Sequence, residues 1–107
     1  MKQNLYKNIP AELPEELVTV LAGSGEVRIE RIVSAGHASP EDFWYDQDRN
    51  EWVLLLSGSA VLSMEKDGMV SQVELVPGDH LLIPAHCRHR VESTAAEEKT
   101  IWLAVYY

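Results

Sequence analysis

The chain has 107 residues, 46% hydrophobic and 24% charged, which is the composition of a single globular domain. Its 17 acidic residues against 9 basic ones give a net charge of -8, a field that repels phosphate backbones and anionic lipids. We therefore expect neither a nucleic acid nor a membrane as partner, and the lack of an apolar run at the N-terminus favours a cytoplasmic protein.

Residues 1–25 are predicted to form an N-terminal arm with a short helix. The helix would run from Pro10 to Gly23, with Pro14 near its start and Glu15 and Glu16 in its first turn. Gly23 would end it, because glycine adopts the left-handed backbone that closes many helices.

Residues 26–107 are predicted to form one all-β domain, because short apolar or alternating runs are separated there by Gly, Pro, Asp and Asn. Asp67-Gly68 is a strong signal for a tight hairpin, whose two central residues need a positive φ. The predicted strands are Glu26 to Ser34, Glu51 to Ser57, Ser59 to Lys66, Val70 to Val76, His80 to Ile83, Cys87 to Ser93 and Thr100 to Tyr106.

A motif in the second half of the domain indicates a family. Gly78, Pro84 and His89 stand at the spacing of the second cupin motif, in which a Gly-Asp turn, a Pro turn and a His recur; His86 replaces a Gly that is common there. The chain therefore resembles the cupin superfamily. The resemblance implies a double-stranded β-helix, or jelly-roll, barrel whose interior holds a ligand or a metal.

The first cupin motif is recognisable but altered. Glu51 is followed after six residues by Gly58, as the family pattern asks of its metal-binding Glu and of the Gly that closes the strand. The two His that normally precede this Glu are replaced by Tyr45 and Gln47. The usual site of three His and one Glu therefore cannot form from the standard positions.

Strand parity brings the remaining motif residues together. Glu51 shares a face with Val53 and Leu55, and His89 shares one with Val91, so both polar side chains are predicted to point inward. With the amide oxygen of Gln47 they would suit a divalent ion such as Zn, Fe, Mn or Ni. Either His86 or His37 could supply a further ligand. The alternative is a barrel without metal, in which Glu51 and His89 hydrogen-bond each other.

Other side chains are candidates for a ligand pocket. Rings at the cavity mouth could stack on a ligand, although large aromatic residues are more often core or interface residues. Arg31 is in phase with Val27, Ile29 and Val33 and could clamp an anion, or form a salt bridge with a neighbouring strand. The predicted pocket residues are Trp44, Tyr45, Trp102, His86 and Arg31.

Three functions fit these features. The chain could be a metal-dependent oxygenase or an isomerase-like enzyme, a non-catalytic module that binds or senses a small molecule, or a protein-interaction barrel without metal. The sequence leaves open whether it is an enzyme. We expect a small-molecule ligand, and a homodimer, since pairing would cover the edge strands of so short a barrel.

Overall fold

The computed structural model of the protein describes residues 1–107, and every regular element in it is a strand. The strands are β1 (Leu17–Ser24), β2 (Val27–Ser34), β3 (Glu51–Ser57), β4 (Ala60–Lys66), β5 (Met69–Leu75), β6 (His80–Ile83), β7 (Arg88–Thr94) and β8 (Thr100–Tyr106). No helix is present that is long and apolar enough to cross a membrane. The prediction of an all-β fold is confirmed, and each predicted strand lies within one residue of an observed one.

The strands form two antiparallel sheets. The larger sheet has the order β1-β2-β8-β3-β6 and the smaller one the order β5-β4-β7. The hydrophobic core lies between them, because its buried residues come from both sheets: Val53, Leu55, Ala60, Leu62, Leu75, Ile83 and Trp102. The edge strands of one sheet do not pair with those of the other. The molecule is therefore an open two-layer sandwich, and the predicted closed barrel is not seen.

The turn between β4 and β5 is the predicted hairpin. Asp67 and Gly68 both have a positive φ, 54° and 77°, and the flanking Lys66 and Met69 are cross-strand partners. A two-residue loop with this backbone matches the right-handed twist of the strands that it joins. The turn fixes which residues of β4 and β5 face the core.

The predicted N-terminal helix is wrong. Residues 10–16 form no regular element, and the segment that follows is β1, which pairs with β2 from Leu17 opposite Val33 to Ser24 opposite Val27. The β-branched run at Val18, Thr19 and Val20 suits a strand, and the helix-start residues before it are overridden by this pairing. A domain boundary at residue 25 stays a prediction.

Gly58 closes β3 where the backbone comes close to β8. Its φ is 84°, and a Cβ atom at this position would lie 2.3 Å from Oγ1 of Thr100. Only glycine fits such a backbone at such a distance without a shift of its neighbours. This contact explains why the glycine of the first motif is required in this fold.

Candidate functional site

A cavity of about 150 Å³ lies between the two sheets at the end where the motif residues converge. Residues from every strand except β5 line it, together with Glu16 just before β1 and the loop that precedes β3. Most of the lining is apolar, and the polar groups that interrupt it include those of Glu51, His89, Gln47 and Tyr45. An apolar cavity with a few convergent polar groups is the usual form of a small-molecule site.

Glu51 and His89 face each other inside this cavity. Glu51 is the first residue of β3 and His89 the second residue of β7, and they are only 7% and 5% exposed. The distance between His89 Nε2 and Glu51 Oε1 is 3.6 Å, longer than a hydrogen bond but short for two opposite charges. The two sheets therefore bring the two motif side chains together, as strand parity predicts.

The His89 ring is held by its other nitrogen. Nδ1 lies 2.9 Å from the Cys87 carbonyl, and since a carbonyl only accepts, Nδ1 carries a proton and donates it. Nε2 is thereby directed at Glu51. Burial lowers the pKa of His89, but Glu51 and the Cys87 carbonyl raise it, and the net pKa lies above the usual 6.5.

Gln47 contributes a buried acceptor to the same cavity. Its Oε1 is inaccessible to solvent and has no hydrogen-bond partner in the protein. An unpaired buried amide oxygen costs about 1–3 kcal/mol unless a ligand or an ion satisfies it. Gln47 can therefore offer an oxygen lone pair to a cation in the cavity, or accept a hydrogen bond from a ligand there.

These donors fit a divalent ion. No group of three His, Cys, Asp or Glu side chains meets in the structure, so the strong donors are the imidazole and the carboxylate alone. The orphaned oxygen of Gln47 lines the same cavity, and one nitrogen with two oxygens is a donor set that suits borderline ions. The bond from Nδ1 to the Cys87 carbonyl is the outer-shell contact that orients a ligating imidazole.

Tyr45 is attached to His89 through both backbone and side chain. Its N–H donates to the His89 carbonyl at 2.7 Å, and the His89 N–H donates to the Tyr45 carbonyl at 3.1 Å. The two rings are stacked with centroids 5.3 Å apart. Burial raises the pKa of Tyr45, with smaller contributions from Glu16 and Glu51, so its phenol stays a hydrogen-bond donor.

Trp102 lines the cavity from β8 and is only 4% exposed. Its indole N–H donates to Oγ of Ser34 at 3.2 Å, and the Ser34 hydroxyl in turn donates to the Glu16 carboxylate. This chain of hydrogen bonds satisfies the buried indole and fixes Glu16 at the cavity. Trp102 is a cavity wall as well as a core residue.

Sequence reasoning missed three polar lining residues, Glu16, Glu30 and Tyr106. Tyr106 shares strand parity with Trp102, so the alternation along β8 could have identified it. Burial raises the pKa of Tyr106, and the nearby Glu51 and Glu30 raise it further. Glu16 gives no usable signal, because its position before a β-branched run also suits the first turn of the predicted helix.

Arg31 does not line this cavity. Glu30 and Ile32 face the cavity from β2, so Arg31 lies on the opposite face of the sheet. There it donates to the carbonyls of Leu5 and Lys7, at 3.3 and 2.7 Å, and so holds the N-terminal arm. The prediction for Arg31 is wrong because it takes the face shared with Val33 as the cavity side. Val33 is fully buried, but on the outer face of the sheet.

Three other predicted residues also lie outside the cavity. The ring of Trp44 packs against the Arg88 guanidinium at 5.3 Å. His86 is exposed and its Nδ1 lies 2.9 Å from Asp46 Oδ1, while His37 bonds to the backbone of Ala35 and Pro14. None of them joins Glu51 and His89.

His86 has a backbone conformation that explains the altered motif. Its φ is 64°, in the left-handed region that glycine adopts freely and other residues rarely do. The position therefore requires the backbone of the glycine that is common there, and the contact with Asp46 holds the histidine in place.

Comparison with known proteins agrees with the motifs. The family model described as "Cupin domain" matches residues 31–106. A crystal structure from Desulfitobacterium hafniense DCB-2, of a cupin superfamily protein, has 25% identity and a TM-score of 0.73, covering 92% of this chain and 82% of that one. The chain matches none of the curated proteins.

Two further solved structures are similar. A proposed mannose-6-phosphate isomerase from Ralstonia eutropha JMP134 has 44% identity and a TM-score of 0.92, over 99% of this chain and 96% of that one. The hydroxypropylphosphonic acid epoxidase of S. wedmorenis has 13% identity and a TM-score of 0.69, over 92% of this chain and 59% of that one, a likeness of fold alone. With both motifs, the family match and these structures in agreement, the chain belongs to the cupin family.

Proposed function

We propose that the chain binds a divalent metal ion through Glu51, His89 and Gln47, and that this ion holds a small molecule in the cavity between the sheets. The observation that carries the proposal is the unpaired, buried Oε1 of Gln47, which lines the same cavity as the other two donors. Buried polar groups normally have a hydrogen-bond partner, so we expect a ligand or an ion to contact this oxygen.

The chain's own residues support such a role. The Cys87 carbonyl fixes the imidazole so that Nε2 faces the cavity, and the ring of Tyr45 stacks on it. A bound ion would supply Lewis acidity, polarising an oxygen of the small molecule. The phenols of Tyr45 and Tyr106, whose pKa values are raised, would donate hydrogen bonds to the same molecule.

Metal binding can be tested by isothermal titration of metal-free protein with Zn²⁺, Mn²⁺ and Ni²⁺. One ion per chain is expected for the wild type, with an affinity that falls in Glu51→Gln and His89→Gln by at least the roughly 10–100-fold seen when outer-shell partners are lost. His80→Gln is the matched control, since His80 is exposed outside the cavity. No stoichiometric ion in the wild type, or undiminished binding in both variants, contradicts the proposal.

A second candidate is a metal-free binding module. It is favoured by the 3.6 Å approach of His89 Nε2 to Glu51 Oε1, which lets a protonated imidazole neutralise the buried carboxylate. In that case the cavity takes up a small molecule through the same residues without an ion. The titrations above distinguish the two candidates.

We also propose a homodimer. The edge strands β1, β6 and β5 leave backbone groups unpaired, and burial of such edges against a second copy protects them from aggregation. Sedimentation equilibrium measures the mass directly. A single species at the 12.0 kDa of one chain would overturn this proposal.

A further inference from the structure

The size of the cavity limits what it can hold. Its volume of about 150 Å³ equals that of an engineered protein cavity known to bind benzene, and cavities for drug-sized ligands are about 300–1,000 Å³. A hexose phosphate has more than twice as many non-hydrogen atoms as benzene. A molecule of that size cannot be enclosed between the sheets.

Without a bound metal ion, the charges around the cavity oppose an anion. Three carboxylates line it, Glu16, Glu30 and Glu51, against the single imidazole of His89, and no Lys or Arg is among its lining residues. Arg28 lies 2.8 Å from Glu30 and is already paired with it. A phosphate group carries a charge of about -1.5 to -2 near neutral pH and would meet like charges on several sides.

The remaining lining suits an uncharged molecule with polar oxygens. Ile32, Val53, Leu62, Ile83 and Val91 form apolar walls from five strands. Tyr45 and Tyr106 supply phenolic hydroxyls that can donate to an oxygen, while the carboxylates can accept from a hydroxyl. The unpaired Oε1 of Gln47 provides a further acceptor.

We infer that the cavity of the metal-free protein takes an uncharged, hydroxyl-bearing molecule of about the size of a benzene ring and excludes phosphorylated sugars. The inference rests on the second candidate function, the metal-free binding module, whose ligand class it names. If the inference is right, this chain does not act on mannose 6-phosphate, the substrate in the name of the Ralstonia eutropha protein, although the two chains are 44% identical.

The test is isothermal titration at pH 7 with three probes: phenol, benzoate and mannose 6-phosphate. Phenol and benzoate are matched in size and differ in charge. Each probe is titrated into metal-free protein in EDTA. Metal binding is measured separately without organic probes, so failure of the metal site and failure of the ligand class are distinguishable.

Phenol is expected to bind at least tenfold more tightly than benzoate, and mannose 6-phosphate is expected to give no binding heat. Val91→Phe fills the cavity from β7 and should weaken phenol binding at least tenfold. Val18→Trp, at an exposed lining position of β1, should do the same without disturbing the core. Val70→Phe is the control, because Val70 is exposed and lies outside the cavity.

Two kinds of result would overturn the inference. One is binding of benzoate or mannose 6-phosphate as tight as that of phenol, or no binding of phenol to the metal-free wild type. The other is undiminished phenol binding by both folded cavity variants, which would locate the phenol elsewhere on the protein.

Discussion

The imidazole of His89 and the carboxylate of Glu51 come from different sheets and approach within 3.6 Å inside the protein. Because the imidazole is only 6% exposed, solvent screens this pair weakly. The protonation of His89, and with it the strength of this ion pair, therefore depends on the pH of the solution.

The metal-free protein should lose stability as the pH rises above neutrality. The pKa of His89 is raised above 6.5 in the folded state, so the protonated form is favoured by folding. Its contribution is fully present below the unfolded pKa and is lost as the pH rises through the folded pKa. Urea unfolding between about pH 6 and pH 9 should show a free energy of unfolding that falls as the pH rises.

Glu51→Gln should reverse this dependence. Burial is the largest effect on the pKa of His89 and lowers it, and without Glu51 only the Cys87 carbonyl opposes burial. The folded pKa then falls below 6.5, so stability should increase with pH across the same range. His80→Gln, an exposed control, should keep the wild-type profile; a Glu51→Gln profile identical to the wild type would contradict the argument.

Gly58→Ala should destabilise the fold strongly. The new Cβ would lie 2.3 Å from Thr100 Oγ1 on a backbone with a φ of 84°, and left-handed strain and overpacking each cost about 1–3 kcal/mol. Gly68→Ala is the matched control, because Gly68 has a φ of 77° but no atom within 4 Å of the added Cβ. Urea denaturation should give a clearly larger loss for Gly58→Ala, and equal losses would rule out the steric explanation.

His86→Gly should be at least as stable as the wild type. Glycine removes the strain of a φ of 64°, about 1–2 kcal/mol, whereas the exposed contact with Asp46 contributes roughly 0–1 kcal/mol. His86→Ala keeps the strain and loses the contact, so its thermal midpoint should be the lowest of the three proteins. A glycine variant less stable than the alanine variant would refute this account.

Arg31→Gln should loosen the N-terminal arm. Arg31 is 7% exposed and donates to the carbonyls of Leu5 and Lys7, and hydrogen bonds from a charged donor contribute about 1.5–3 kcal/mol. Limited proteolysis should cleave the arm faster in this variant. Arg49→Gln is the control, since Arg49 also donates to a backbone carbonyl but at the surface; equal cleavage of the two variants would count against a clamping role.

The strands from β2 onward could be predicted because alternation and turn residues are local signals. Asp67-Gly68 fixes one hairpin from two residues, and the parity of β3 and β7 brings Glu51 and His89 into one cavity. Pairing of β1 with β2 has no such signal, and Pro14 with its two following glutamates imitates the start of a helix.

Arg31 could not be placed by parity alone, because β2 is buried on both faces. Glu30 and Ile32 line the cavity, yet Val33 on the other side is fully buried. Alternation locates the interior only where one face is solvated. For the same reason, the sequence does not predict that the carboxylate of Glu30 points into the cavity.

The paired backbone hydrogen bonds between Tyr45 and His89 constrain how a ligand could enter the cavity. Opening the loop at Tyr45 would break both bonds and move the imidazole away from Glu51. Glu16 and Val18 also line the cavity and are exposed, so entry beside them would leave both bonds, and the alignment of the histidine, intact.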